Sequence, residues 1–471
     1  MEETSQSRLD FDHEYQESSL TNFGRTFEFK IMRIKFHFFP VILTIFMISS
    51  ALVAEEEKEI ISRVDAYQLL SPILVQSKKQ SNPEGLNGKV MTGYQGWFRA
   101  TGDGSKLGFS HYQKNGKFEP GTCSIDLWPD LQEFSEEEKF ATPFRFVDGS
   151  TAHVFSSLHP KTVNRHFLWM KQYGIDGAFI QRFAVHGAKL RKDNRRLKYE
   201  NQKLMLCRDS AIRNGRCWAM MYDLTGMTDA DFDRLANDWK QLRKQMQLGN
   251  DPMDTGYLKF RGKPVVGIWG VGFKEGRSYG LEKTEWLIRL LKRNPEWGGM
   301  SIMLGVPYYW RDLNRDAVSD PRLHKILGLA DVISPWSVGR YGNKPDESAK
   351  IVSLQLADRK WCEKRNIHYL PVLFPGFSWK NMKGPDTTEI PRRKGAFFYE
   401  QFLAAAQAGN SSAYLAMFDE LDEGTAIFKC ADRVPLGRSK FISMEGLPSD
   451  YYLQLSKDGT NLLRKNLHSM K

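Results

Sequence analysis

The sequence of 471 residues is poor in cysteine and lacks the short motifs that define several large protein classes. Its five cysteines are scattered and form no CxxC pair, which argues against a disulfide-built scaffold and against a zinc site. No GxGxxG or GxxxxGK turn occurs, so we predict no nucleotide pocket and no cofactor. We find no nucleic-acid-binding motif and predict no nucleic-acid partner. The sequence leaves open whether Cys207 and Cys217 form a disulfide in an oxidising compartment.

The sequence also lacks an apolar run long enough for a permanent membrane span, which needs about 20 residues. Residues 32–54 instead have a basic start, a short apolar core and a small-residue exit. That is the pattern of a secretory signal, with cleavage after Ala51 or Ala54. We therefore expect a secreted or periplasmic protein that contacts a membrane only if this segment is retained. We interpret the polar residues 1–31 as a non-native leader, with translation starting at Met32.

The composition is that of a soluble globular protein rich in aromatic residues. Hydrophobic residues make up 41% and charged residues 26%, and both values are ordinary. Aromatic residues make up 13%, with 12 Trp, which suits either the stacking surfaces of a sugar site or a large aromatic core. The net charge of +11 is compatible with anionic partners.

Eight short apolar runs recur along the chain, each with a polar or aromatic exit, and stretches with helical spacing lie between them. The runs lie at 89–98, 174–183, 217–227, 263–273, 301–310, 331–341, 368–379 and 412–424. Continuous apolar strands separated by helices indicate a parallel sheet, and eight such units fit an α/β fold of the (β/α)8 TIM-barrel type. We predict a barrel domain at 88–471, preceded by a helical lead-in at 55–87. A doubly wound open sheet is the alternative, although its usual glycine-rich turn is missing.

The last apolar run ends abruptly in acidic residues, in the stretch SSAYLAMFDELDEGTAIF at 411–428. In a (β/α)8 barrel the chemistry lies at the C-terminal ends of the strands, so this acidic segment would stand at the mouth of the barrel. Aromatic and polar side chains at the other strand exits would face the same cleft and suit a sugar substrate. The predicted substrate-binding residues are Tyr94, Trp97, Gln181, Arg182, Tyr222, Asp223, Trp269, Tyr308, Tyr309, Trp336, Trp379, Asp419 and Asp422.

Glu420 and Glu423 are the candidate catalytic pair. If the chain turns helical after the strand, their Cβ atoms lie about 5–6 Å apart on one face. Mutual repulsion would raise one pKa so that one carboxyl holds a proton, and one acid and one base are the minimum for glycosidic cleavage. Two alternatives remain: an acidic first turn favoured by a helix dipole, or a calcium or magnesium site at Asp419, Asp422 and Glu423 without a recognisable metal-loop spacing.

The segment KLRKDNRRLK at 189–198 concentrates positive charge after the second apolar run. It could overhang the cleft and bind a sulfate, carboxylate or phosphate group of a polymer. It could equally be the solvated start of a helix.

The chain resembles the superfamily of glycoside hydrolase families 71 and 99, particularly the endo-α-mannosidase-like proteins of family 99. The resemblance covers about Gly88 to Cys430 and rests on GYQGWF at 93–98, YGIDGAFIQRF at 173–183 and MFDELDEGT at 417–425. The last segment matches the family 99 motif N-E-W-x-E-G-T, whose two glutamates carry catalysis with retention of configuration.

This resemblance implies that Glu420 acts as a base on the 2-hydroxyl of the sugar, which then attacks to form a 1,2-anhydro sugar. Glu423 would protonate the leaving oxygen and later activate water. Asp419, Leu421 and Asp422 replace the family's Asn, Trp and His, which puts mannan specificity in doubt. Family 71 proteins are α-1,3-glucanases, so the resemblance leaves the linkage open.

The sequence thus predicts an exported retaining glycoside hydrolase that acts on a polysaccharide or glycan, with α-mannoside-like or related linkages. The basic surface favours an anionic polymer as substrate. Two other classes stay open: a carbohydrate-binding barrel without catalysis, and a metal-dependent enzyme active on polysaccharides.

Overall fold

The computed structural model describes residues 60–74, 81–342, 344 and 347–469. The predicted leader at 1–31 and the predicted signal at 32–54 lie outside the described residues. Within the described part of the chain, no helix is both long enough and apolar enough to cross a membrane.

Helices and strands alternate along most of the chain. The helices are α1 (Arg63–Gln68), α2 (Pro160–Gln172), α3 (Ala184–Ala188), α4 (Arg195–Asn214), α5 (Phe232–Gln245), α6 (Leu281–Arg293), α7 (Arg322–Leu327), α8 (Glu347–Glu363), α9 (Lys380–Lys383), α10 (Ala396–Gln407) and α11 (Tyr451–Ser469). The strands are β1 (Val90–Tyr94), β2 (Phe140–Arg145), β3 (Thr151–Val154), β4 (Gly177–Phe183), β5 (Cys217–Asp223), β6 (Lys259–Phe260), β7 (Lys263–Trp269), β8 (Ser301–Pro307), β9 (Val332–Trp336), β10 (His368–Tyr369), β11 (Val372–Leu373) and β12 (Ala413–Leu415).

The main sheet of parallel strands curls into a barrel-like arrangement. Neighbours follow the order β1, β4, β5, β7, β8 and β9, and β12 pairs with β1 on its other side. The remaining position is shared by β10, which pairs with β9, and β11, which pairs with β12. Pro371 lies between these two short strands and cannot donate a backbone hydrogen bond, which accounts for the interruption. The predicted (β/α)8 barrel is confirmed, and each of the predicted apolar runs contains a barrel strand.

Side chains of the barrel strands divide between an inner and an outer apolar cluster. On β5, Met221 belongs to the inner cluster, whereas its neighbours Met220 and Tyr222 pack outward against the helices. The interior is crowded, because a Cβ atom on Gly93 would lie 2.1 Å from the hydroxyl oxygen of Tyr414. Successive side chains of a strand point to opposite sides of the sheet, and this determines which residues at the strand ends can face the cleft.

The lead-in predicted as helical at 55–87 is helical only at α1 among its described residues. Pro72 and Pro83 each remove a backbone donor, and prolines disfavour a continuing helix. Side-chain hydrogen bonds hold this segment on the barrel instead. The hydroxyl of Tyr67 donates to Asp238 of α5 at 2.6 Å, and Arg208 of α4 donates to the carbonyl of Ser71 at 2.6 Å.

The twenty-residue helix α4 follows β4, and its first residue, Arg195, lies inside the basic segment 189–198. Residues 195–198 of the basic segment are therefore the start of a helix, and residues 189–194 precede it. Cys207 lies on α4 in the outer cluster, and Cys217 lies in the inner cluster. Because the strand layer separates them, they form no disulfide and both are free.

Candidate active site

The acidic segment after β12 forms a compact loop at the C-terminal end of the barrel. Residues 421–424 form a turn instead of the helix assumed from spacing, which also removes the helix-dipole explanation of the acidic residues. Gly424 adopts a left-handed backbone with φ of 63°. The loop folds back on itself, since the N–H of Ala426 donates to the carbonyl of Glu420 at 3.0 Å.

Glu420 is fixed by hydrogen bonds to both of its carboxyl oxygens. The amide of Gln95 donates to Oε1 at 2.8 Å, and the hydroxyl of Thr425 donates to Oε2 at 2.7 Å. Burial, followed by the charges of Glu423 and Asp422, raises the pKa of Glu420 well above its usual value. The side chain is therefore ordered and strongly coupled to its acidic neighbours.

Glu423 lies in the same loop as Glu420 and is half-buried. Among the described residues, its two carboxyl oxygens do not both accept hydrogen bonds, as those of Glu420 do. Burial, with a further contribution from the charges of Asp422 and Asp223, raises the pKa of Glu423 to about 8. The Trp379 indole and Lys383 act in the opposite direction. A carboxyl with this pKa is mostly protonated at neutral pH and can donate a proton.

Asp419 connects the acidic loop to the end of β1. Its two carboxyl oxygens accept hydrogen bonds from the backbone N–H groups of Gln95 and Gly96, each at 2.8 Å. Burial raises the pKa of Asp419 to about 6. Both oxygens of Asp419 therefore bind backbone groups of the protein itself. Asp419 was predicted to bind substrate, and the structure instead gives it a role in positioning Gln95.

Asp422 is contacted by a histidine that the sequence analysis did not single out. The distance from Nδ1 of His111 to Oδ2 of Asp422 is 3.3 Å. The ring of His111 stacks on Trp97, with ring centroids 4.0 Å apart and planes at 6°. The other face of Trp97 is covered by Phe183 at 5.5 Å. Trp97 therefore supports His111 and does not offer the open stacking surface that was predicted.

His111 lies in the long connection between β1 and β4, outside every apolar run and motif. No spacing in the sequence links it to Asp422, which is 311 residues away. The same holds for Lys203 of α4, whose ammonium group donates to the carbonyls of Gln95 and Gln181 at 3.0 and 2.7 Å. Lys203 thereby ties together the ends of β1 and β4.

Gln181 and Asp223 lie on the same side of strands β4 and β5 as the inner-cluster residues Phe179 and Met221. The side-chain amide of Gln181 donates to Oδ2 of Asp223 at 2.6 Å, and the N–H of Thr225 donates to Oδ1 at 2.7 Å. Burial raises the pKa of Asp223.

Three predicted substrate-binding residues face away from the cleft and are buried between the strands and the helices. The Tyr94 hydroxyl lies 2.9 Å from Nδ1 of His166. Arg182 donates to both oxygens of Asp238 at 2.9 and 2.6 Å, and the Tyr222 hydroxyl donates to the same carboxylate at 2.7 Å. Their position on the strands corrects the prediction, because the residues next to them point inward.

The remaining aromatic residues border the inner cluster. Trp269 and Trp336 are half-buried and meet edge to face at 5.5 Å. Tyr308 is buried, whereas Tyr309 is half-buried and its ring is covered by the Arg315 guanidinium at 4.2 Å. Trp379 is half-buried and packs edge-on against Phe377 at 4.9 Å.

The carboxylates of the loop do not converge on one point, because Asp419 binds backbone N–H groups and Asp422 contacts His111. Among the residues that the structure describes, no group of three or more His, Cys, Asp and Glu side chains is arranged to hold a metal ion. Arg191, Lys192 and Arg196 of the basic segment are exposed. Burial, followed by the charges of Arg99 and Arg196, lowers the pKa of His111.

Fold and site together define a parallel (β/α)8 barrel with buried carboxyl groups at the C-terminal end of its strands. Solved structures with the same fold include the glycoside hydrolase family 99 endo-α-mannosidase from Bacteroides thetaiotaomicron, with a TM-score of 0.58 and 14% identity, covering 81% of this chain and 99% of that chain. A second structure of the same bacterial enzyme, in complex with bis-tris propane, has a TM-score of 0.55 and 14% identity over 81% of this chain and 99% of that chain.

This similarity confirms the predicted resemblance at the level of the fold. No protein-family model matches the sequence, and no curated protein matches it.

Proposed function

We propose that this protein is an exported retaining glycoside hydrolase in which Glu423 is the acid and Glu420 the base. The observation that carries the proposal is the contrast between two neighbouring carboxyls at the mouth of the barrel. Burial raises the pKa of both carboxyls, so the pair holds a proton near neutral pH. Glu420 accepts hydrogen bonds at both oxygens, which favours its ionised form, and we therefore assign the base to Glu420 and the acid to Glu423.

The chemistry follows from these protonation states. Glu420 removes the proton of the sugar 2-hydroxyl while O2 attacks C1, and Glu423 gives its proton to the leaving oxygen. The resulting 1,2-anhydro sugar is opened by water, with Glu423 now removing a proton from the water and Glu420 returning the proton to O2. Two attacks from opposite faces give net retention of configuration.

The substrate we propose is a polysaccharide or glycan whose 2-hydroxyl lies trans to the leaving group, as in an α-mannoside. The family 99 fold supports this choice, and Asp422 at the family's His position makes a related linkage an equal candidate. The exposed Arg191, Lys192 and Arg196 support an anionic polymer that places its acidic groups on the basic segment, away from the carboxyl groups. We further propose export through residues 32–54 to the periplasm or the medium.

The test is release of reducing ends from mannans, α- and β-glucans and sulfated polysaccharides by the purified protein. The variants are Glu420→Gln, Glu423→Gln and, as a matched control, Glu296→Gln, which changes an exposed glutamate in a loop. Release by the wild type and the control alone supports the proposal, and NMR of the first product should find the retained anomer. Inversion contradicts the mechanism, and binding without release by any form favours the carbohydrate-binding alternative. Loss of release on addition of a chelator favours the metal-dependent alternative.

A further inference from the structure

One half-buried arginine in the loop after β7 has hydrogen-bond donors that the protein does not use. The guanidinium carbon of Arg277 lies 5.2 Å from the ring centroid of Trp269 and 5.3 Å from that of Phe273. Its Nη1 donates to the hydroxyl oxygen of Thr225 at 3.1 Å. Nε is buried and has no hydrogen-bond partner among the described residues. Two aromatic rings and one hydroxyl thus restrict a side chain whose donors are mostly unpaired.

The position of Arg277 follows from the strands below it. Asp223 and Trp269 are the last residues of β5 and β7, and they are paired in register. Trp269 packs against the inner cluster, and Thr225 follows Asp223 by two residues. Arg277 contacts both Trp269 and Thr225, so it lies over the C-terminal ends of these two strands. Because the barrel strands are parallel, the acidic loop after β12 lies at the same end.

A second arginine at this end of the barrel shows what a structural ion pair looks like here. Arg340, in the loop after β9, forms ion pairs with Asp316 at 3.0 Å and with Glu275 at 3.4 Å. Glu275 precedes Arg277 by only two residues. Within the described part of the chain Arg277 forms no ion pair, so the acidic residue of its own loop compensates a different arginine.

The carboxyl group at the end of β5 is also occupied by other donors. Oδ2 of Asp223 accepts from the amide of Gln181 at 2.6 Å, and Oδ1 accepts from the backbone N–H of Thr225 at 2.7 Å. Thr225 therefore stands between this carboxyl and the guanidinium, bonded to both. The positive charge of Arg277 is left without a contacting acid among the described residues.

Such a guanidinium is suited to bind an anion. Arginine presents five N–H donors in a planar fork that matches the oxygens of a carboxylate, and the same oxygen spacing occurs in a sulfate ester. A side chain that is already restricted loses little conformational entropy on binding. A neutral sugar at this position would leave the charge uncompensated, whereas an acidic sugar would supply the missing acceptor.

We propose that Arg277 binds the acidic group of a sugar, a carboxylate or a sulfate ester, at the β5–β7 side of the barrel mouth. This inference rests on the proposed function and deepens it, because it assigns the anionic character of the substrate to one residue beside Trp269. The exposed basic segment 189–198 attracts any polyanion, whereas Arg277 requires the acidic group on the sugar unit that lies at the strand ends.

The first test needs no hydrolysis. Phenylglyoxal modifies arginine side chains that no acid masks, and peptide mass spectrometry reports the modification of Arg277 in the full-length wild type. The acidic probes are polygalacturonate and carrageenan, and their neutral controls are the methyl ester of the first and the desulfated form of the second. We expect Arg277 to react, and one acidic probe to slow its reaction severalfold while the matching neutral polymer does not. The probe that protects distinguishes a carboxylate from a sulfate ester.

An Arg277 that does not react with phenylglyoxal overturns the inference, because a masked guanidinium cannot bind a polymer. Failure of both acidic probes to protect it, or equal protection by the neutral forms, overturns the inference as well. These outcomes are read on the wild type and do not depend on the folding of any variant.

The second test uses kinetics on the polymer found in the release assay. Arg277→Gln should raise KM about tenfold or more, the usual effect of losing a hydrogen bond to a charged group, and should leave kcat nearly unchanged. Arg277→Lys keeps the charge without the planar fork and should give an intermediate KM. Lys274→Gln removes an exposed positive charge from the same loop and should change KM little.

A merely structural role would weaken the binding of acidic and neutral polymers equally in Arg277→Gln, and that result overturns the inference. Hydrolysis of a neutral polymer with a KM that does not depend on Arg277 overturns it and leaves the proposed function intact. Protection of Arg277 by an acidic polymer, with no hydrolysis of any polymer in the panel, contradicts the proposed function alone.

Discussion

Two buried carboxyl clusters of this barrel lie on opposite sides of the same strands and differ in how their charge is compensated. Outside the strands, Asp238 is paired with Arg182 and accepts hydrogen bonds from Tyr67 and Tyr222. Despite burial, these partners lower the pKa of Asp238. At the mouth of the barrel, burial and, for Glu420 and Glu423, the charges of neighbouring carboxyls raise the pKa values of the acidic loop.

The difference separates a stabilising use of buried charge from a chemical one. A paired carboxylate such as Asp238 stays ionised over the whole physiological range and holds helix α5, strands β4 and β5 and the lead-in together. Carboxyls with pKa values near neutrality can exchange protons with a substrate, but they do so at a cost in stability. Substitutions in the two clusters test this difference.

The largest effect is expected from the catalytic pair. Glu423→Gln or Glu420→Gln should reduce turnover by roughly three orders of magnitude or more, because each removes a proton transfer from the transition state. The denaturation midpoint should not fall. Initial rates and urea titrations check both points, and a variant with near-wild-type turnover would contradict the assignment.

The outer cluster should respond in the opposite way. Arg182→Ala leaves Asp238 buried without its cation and should lower the free energy of unfolding by about 3–5 kcal/mol. Turnover of the fraction that remains folded should stay close to the wild-type value. Urea denaturation, with the exposed Arg433→Ala as control, measures the first effect. A loss below about 1 kcal/mol would mean that the ion pair is not a main support of the barrel.

A smaller effect is expected from the donor to Glu420. Thr425→Val removes the hydroxyl that binds Oε2, which disfavours the ionised base and should move the acidic limb of the pH–rate profile to higher pH. The expected loss is about tenfold at pH values below that limb. Thr425→Ser keeps the hydroxyl and should restore the wild-type profile. An unchanged limb in the Val variant would show that the hydroxyl does not act on the base.

The pH dependence of stability gives the smallest expected effect. The pKa of Glu423 is about 8 in the folded protein, against an ordinary value of 4.5, so the folded state binds the proton more tightly than the unfolded state. Stability from this group is present below pH 4 and is lost as the pH rises towards 8. Glu423→Gln should therefore be more stable than the wild type at pH 8 and indistinguishable from it at pH 4.

Asp238 provides the matched contrast to this pH dependence. Its lowered pKa means that its contribution is present above the ordinary value of 3.8 and is lost as the pH falls. Denaturation midpoints measured from pH 2 to pH 8 distinguish the two groups, because the contribution of Asp238 is lost only below about pH 4. An equal gain of Glu423→Gln over the wild type at both ends would contradict the raised pKa.

The sequence was sufficient for the barrel and for the location of its acidic end. Apolar runs such as CWAMMYD at 217–223 are buried on both faces and need no knowledge of their neighbours to be recognised as strands. The acidic residues follow the last of these runs directly, so their place at the strand ends follows from chain order alone. Proline and glycine explain the interrupted strand at Pro371 and the turn at Gly424.

Which side chain at each strand end faces the cleft depends on how the strands pack in three dimensions. Gln181 and Arg182 are adjacent, and so are Tyr222 and Asp223, and successive side chains of a strand point to opposite faces. The register between β4 and β5 pairs Arg182 with Tyr222, which places both on the outer side with Asp238. The contact of His111 with Asp422 likewise depends on how a long connection folds over the mouth. Local patterns determine which elements form, whereas packing between distant segments determines the surroundings, and hence the protonation, of each carboxyl.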